Sequence, residues 1–248
     1  YKVQAWDKIP DTAKDADGAY YADYTGIMSV GWNADKYGDI SSLDDLLDPK
    51  FAGTVALNGK PAEAGAAFNG YLMANQLAGG DINNLQPGLD YFKKLKEAGN
   101  LTTVDVTNGT IDSGQTGVVF DWTYNQASYK KELKDKGVNW KYKTFPKAQV
   151  VSYYNQAINK DAPHPAAARL WEEYLYTADA QNLWFKGGAN PVLLDSMKED
   201  GTVDQATLKD AITIEGEPVS YTNDDSTRIT EWLQNNWDKT IGNSGTDR

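Results

Sequence analysis

The 248 residues include 24 basic and 35 acidic side chains, a formal net charge of −11, with one histidine and no cysteine. Disulfides, thiolate chemistry and Cys-ligated zinc are excluded, and histidine chemistry rests on His164 alone. So acidic a chain lacks the basic face that a nucleic-acid backbone needs, and no apolar run approaches the ~18 residues of a membrane span. What remains is a chain with 8 Trp and 15 Tyr whose polar chemistry must come from Asp, Glu, Tyr, Trp, Asn and Ser.

Residues 20–32 are rich in aromatic and β-branched side chains and predict a strand, with Gly26 as a break. Residues 39–49 predict a short helix capped by Ser41 or Ser42, with Asp44 and Asp45 in its first turn and Pro49 beyond its end. A buried strand follows at 54–57, then the turn NGKP at 58–61 and a helix over 62–77 that opens on small residues. Gly79 and Gly80 mark its end. A third helix is expected over 88–98, where Leu89, Phe92 and Leu95 recur at helical spacing. The turn GQTG at 114–117 leads into the apolar strand VVFDW at 118–122, and helix resumes over 125–136. Strands are expected at 140–145 and 150–158, a proline-flanked loop at 161–165, and an amphipathic helix at 166–176 with Leu170, Trp171, Tyr174 and Leu175 on one face. Short helices at 205–212 and 227–239 close the chain, and 244–248 reads as a polar tail. Strands alternating with helices indicate an α/β architecture.

Four places could carry chemistry. Glu63, Ala64, Gly65 and Ala66 begin a helix after a strand. Small side chains there leave backbone N–H groups open to an anion, although close helix–strand packing wants the same residues. Asp121 and Trp122 end an apolar strand, where open α/β sheets bind ligands; a carboxylate beside an indole suits an ammonium group. An Asp capping the next helix and a core Trp would read identically. Ser152 and Tyr154 point one way along their strand, Tyr153 and Asn155 the other. Tyr24 and Thr25 belong to a similar aromatic cluster with Tyr20 and Tyr21. His164 reads as a solvated loop residue, Asp44, Asp45 and Asp48 as a solvated helix face, and Arg169 as surface. The triplets at Asn100 and Asn108 match a glycosylation sequon that is common by chance. No catalytic constellation, metal-ligand set or cofactor fingerprint appears. Lack of cysteine fits a periplasmic or extracellular protein, and equally many cytosolic ones.

In order and spacing, four blocks resemble the periplasmic solute-binding proteins of ABC transporters: GIMSVGWN (26–33), SLDDLLDPKFAGTV (42–55), SGQTGVVFDW (113–122) and QAINKDAPHP (156–165). The likeness is to the branch with receptors for polyamines, 2-aminoethylphosphonate, γ-aminobutyrate and iron(III). It implies a two-lobe type II fold with hinge strands, a ligand in the interlobe cleft and closure on binding. The lobes would comprise 1–33 with 156–190, and 34–155 with 191–243. The first looks N-terminally incomplete, because the family's opening strand–helix stretch is not found before Tyr1. Ligand contacts would come from Tyr24, Thr25, Glu63, Ala64, Gly65, Ala66, Asp121, Trp122, Ser152 and Tyr154. Polyamine receptors place an acid near Tyr154, which counts against a diamine here, and the opposed faces of Tyr153 and Tyr154 count against iron. A small amine-bearing solute is expected, with γ-aminobutyrate or a similar ω-amino acid first. Its amine would lie at Asp121 and Trp122 and its acid at Ala64–Ala66. The partners are then that solute and an ABC-transporter permease, with the receptor a monomer and not an enzyme. The rival class is a carbohydrate-binding protein or glycoside hydrolase, whose paired carboxylates no sequence feature identifies.

Overall fold

The computed structural model describes residues 1–214 and 218–242; the tail expected at 244–248 lies outside them. Strand β1, Tyr21–Asn33, runs 13 residues without interruption. Gly26 does not break it, because β-formers on both sides keep the ladder continuous. The other strands are β2 Val55–Leu57, β3 Val118–Trp122, β4 Trp140–Lys143, β5 Val151–Gln156 and β6 Asn190–Pro191. The helices are α1 Ala34–Tyr37, α2 Gly65–Leu77, α3 Gln86–Glu97, α4 Asn108–Asp112, α5 Thr123–Lys134, α6 Pro165–Leu175, α7 Ala178–Lys186, α8 Leu194–Asp200, α9 Gln205–Asp210 and α10 Asn223–Ile241. The helix expected near 43 is a tight 3-10 segment, Leu43–Leu47. At its start the Asp45 carboxylate accepts the N–H groups of Ser41 (2.7 Å) and Ser42 (3.0 Å), which hold its pKa down to about 2.

The chain divides into two units, Tyr1–Ile27 with Ser152–Thr213, and Met28–Val151 with Ile214–Arg248. The sequence reading drew its boundaries after 33, 155 and 190. Residues 191–213, assigned there to the second lobe, belong to the first unit, since Val192, Leu193, Leu194, Met197 and Val203 are buried in its core.

In the second unit β2 and β3 run parallel, with Val55 opposite Val118 and Leu57 opposite Phe120. The C-terminal part of β1 is antiparallel to β3, and β4 is antiparallel to β1. The sheet is thus mixed rather than all parallel. Side chains alternate across β3: Val118 and Phe120 enter the main core, while Val119 packs with Leu133 of α5 and Trp140 on the other face. Burial of both faces explains the unbroken apolar run. Helix α2 lies close on β2 and β3 because Gly70 has no side chain: a Cβ there would stand 3.0 Å from Leu57 and 3.3 Å from Phe120. Trp237 of α10 packs on Tyr71 and Phe92. This helix starts earlier than expected, at a capping box between Thr222 and Asp225.

In the first unit the N-terminal part of β1 pairs antiparallel with β6, Tyr24 opposite Pro191 and Thr25 opposite Asn190. Tyr21 packs on Trp6 and Tyr176, and its hydroxyl donates to the buried Glu172. The α6 face expected to be apolar is only partly covered. Leu175 is buried, but Leu170, Trp171 and Tyr174 are 73%, 58% and 44% exposed.

Candidate ligand-binding site

Because β2 and β3 are parallel, both end at the same edge of the second unit's sheet. Each leads to a helix there: β2 through the loop 58–64 into α2, β3 directly into α5. Gly59 makes the loop possible. It adopts φ +101°, and a Cβ on it would stand 2.5 Å from the Cβ of Ala64. Neither helix has a side-chain cap. The N–H groups of Gly65, Ala66 and Ala67 find no acceptor among the described residues. Such a first turn presents its donors and the positive end of the helix dipole to an anion. Gly65 is exposed, Ala64 and Ala66 are half-buried, and Ala67 onward packs on the sheet. The close packing expected of these small residues therefore holds from Ala67 onward, while Gly65 stays exposed. Glu63 is exposed and pairs with Lys60 at 3.5 Å. A groove of about 400 Å³ opens beside Leu57, Gly59 and Lys60, with Thr102 and Thr103 on its wall.

Asp121 is wholly buried and points inward. Its Oδ1 accepts the Trp122 backbone N–H (2.8 Å) and Asn125 Nδ2 (2.9 Å); its Oδ2 accepts Asn58 Nδ2 (2.8 Å) and the Tyr129 hydroxyl (2.9 Å). Burial pushes the carboxyl's pKa up, and these four donors hold it back. A carboxylate so occupied has no oxygen left for an ammonium group, which corrects the role expected of it. Instead it joins the loop after β2 to the start of α5. Trp122 is likewise packed into the core, 4% exposed, with its ring parallel to Tyr124 at 6.4 Å. Tyr124, unmarked in the sequence reading, is the less buried ring of the pair.

The other expected residues lie in the first unit. Tyr24 is sandwiched between Tyr154 (4.7 Å, 9°) and Trp184 of α7 (4.4 Å, 28°). All three are half-buried. Thr25 is buried and donates to the Ser152 carbonyl at 2.7 Å, so it ties strands rather than facing a solute. Ser152 is half-buried, and Tyr153 packs on the unit's core, as alternation requires. Trp184 was missed because no apolar periodicity marks α7; its only sequence signal is the Thr177 N-cap. Among the described residues no three His, Cys, Asp or Glu side chains come together. Nor is any described helix long and apolar enough to cross a membrane.

The sequence profile of bacterial extracellular solute-binding proteins matches residues 1–211. The chain belongs to this family. The solute-binding protein matches no curated protein sequence, but solved structures share its fold. Apo ferric ion-binding protein A of Pasteurella haemolytica is 18% identical with TM-score 0.68, over 100% of this chain and 78% of that one. Periplasmic binding protein AfuA of Actinobacillus pleuropneumoniae, with fructose-6-phosphate bound, is 19% identical with TM-score 0.67, over 97% and 75%. AgtB from A. tumefacien, in complex with agropinic acid, is 16% identical with TM-score 0.68, over 96% and 73%. The fold is thus the type II periplasmic-binding-protein fold. The solute-binding protein is an extracytoplasmic receptor for ABC uptake, in a family of binding proteins rather than enzymes.

Proposed function

We propose that this receptor captures a small solute bearing an acidic group, with γ-aminobutyrate or a similar ω-amino acid first. The acid group is held by the start of α2. The carrying observation is the pair of uncapped helix starts at the C-terminal ends of adjacent parallel strands, with the N–H groups of Gly65, Ala66 and Ala67 unused. Lys60 adds the nearest cation along the chain. Agropinic acid and fructose-6-phosphate, bound by two proteins of the same fold, both carry acidic groups. For the amine end, the saturated Asp121 directs the reading to the half-buried ring of Tyr124 in the same unit, through cation–π attraction. The same saturation counts against a diamine. It favours 2-aminoethylphosphonate as a second reading, since a phosphonate makes stronger use of a helix start.

Isothermal titration against γ-aminobutyrate, 2-aminoethylphosphonate, putrescine and fructose-6-phosphate tests this. Binding of an amino acid or aminophosphonate with none of putrescine supports the reading. Binding of putrescine alone overturns it.

A further inference from the structure

Asp23 lies on β1 in the first unit and is wholly excluded from solvent. Gln156 Nε2 donates to its Oδ2 at 2.8 Å, while Oδ1 is buried without a partner. The β1–β6 register sets Thr25 opposite Asn190, and Val192 donates its N–H to the Asp23 carbonyl at 3.0 Å. Asp23 and Asn190 are therefore diagonal neighbours on one face of the ladder. Asn190 is 3% exposed, and its Nδ2 donates to the Ile212 carbonyl at 3.2 Å. That bond fixes the amide and leaves its Oδ1 buried without a partner too. An ionised carboxylate and an amide oxygen can only accept, so neither can relieve the other. One proton relieves both.

We propose that Asp23 is a neutral carboxylic acid that donates to Asn190 Oδ1 while still accepting from Gln156, and so ties β1 to β6 on the face opposite the Tyr24 stack. Asp23 is a positioning residue in this account; its link to solute binding rests on the function proposed above. The side chains around it are neutral or acidic. Tyr24 is on its own strand, Gln156 on β5, Gln181 of α7 donates to its carbonyl at 3.3 Å, and Tyr176 after α6 donates to the Ala22 carbonyl at 2.7 Å. Glu172 of α6 adds negative charge beside Tyr176 and Tyr21. No Lys, Arg or His forms an ion pair with Asp23 among the described residues. Burial pushes the carboxyl up to about 6, with Gln156 and the backbone N–H groups of Asp23 and Tyr24 pulling the other way.

A pKa raised from 3.8 to about 6 means that the folded chain holds this proton more tightly than the unfolded one. The stabilisation is complete below the unfolded value, declines as pH rises toward the folded value and is gone above it, up to about a hundredfold in the folding equilibrium. Asp23→Asn copies the neutral acid, since its amide can donate to Asn190 and its oxygen accept from Gln156. Urea unfolding of the 248-residue chain and of this variant should show the variant more stable near about pH 7.5, with the gap closing near about pH 4. A variant less stable at the higher pH, or a gap that does not change with pH, overturns the proposal. Carbon-13 titration of the Asp23 carboxyl in the unmodified chain gives a second reading: a midpoint near 6 supports it, and one near the ordinary carboxylate value overturns it. Neither measurement uses a solute, so each stands or falls separately from the proposed ligand.

Discussion

Asp121 satisfies four donors from three chain segments, and its loss is expected to be costly. Asp121→Asn keeps the shape but turns an amide N–H₂ toward two of those donors. We expect about 2–4 kcal/mol of destabilisation in urea unfolding, the cost of leaving buried polar groups unpaired. An unchanged midpoint would show that the network contributes little. The sequence marked Asp121 by its place at the end of an apolar strand, but not its role. Its partners stand one, four, eight and 63 positions away, and only folding brings the Asn58 amide to it. The same holds for Tyr24, whose stacking partner Trp184 lies on a helix that periodicity did not reveal.

The start of α2 is where sequence and structure meet most closely. Small residues were legible there, and so was the ambiguity between packing and ligand binding. In the structure Ala67 and Gly70 lie against the sheet, Ala66 is half-buried and Gly65 is exposed. Ala64 already has the extended backbone of an N-cap, φ −120° and ψ 130°. Ala64→Asp should therefore cap the helix and stabilise the chain by about 1 kcal/mol. It should also place a carboxylate on the proposed acid site and weaken solute affinity at least about tenfold. Stability and affinity moving in the same direction would contradict the assignment. Strands β2 and β3 and helices α2, α3 and α5 were legible because apolar runs and the glycine or proline breakers between them agree there. Helix α7 and the continuity of β1 through Gly26 were not, since tertiary pairing decides both.

At the scale of the whole molecule, two units alternate along one chain, which changes over within β1, within β5 and near 213. The chain spans about three quarters of the length of the solved proteins it resembles. The first unit carries Leu170, Trp171 and Tyr174 as exposed apolar residues on α6. Contiguous apolar surface of this kind binds the dye ANS. Trp171→Glu should lower ANS fluorescence, and an unchanged signal would place the dye elsewhere. The order of blocks in the sequence sufficed for the family. The changeover points did not follow from it, because they depend on which core the segment 191–213 enters. The central claim is that the start of α2 holds the solute's acid group. It is tested most directly by following the amide resonances of Gly65, Ala66 and Ala67 while titrating γ-aminobutyrate and 2-aminoethylphosphonate. The account predicts saturable shifts of these amides with at least one of the two solutes. Saturable shifts elsewhere in the chain, with these three amides unmoved, would contradict it.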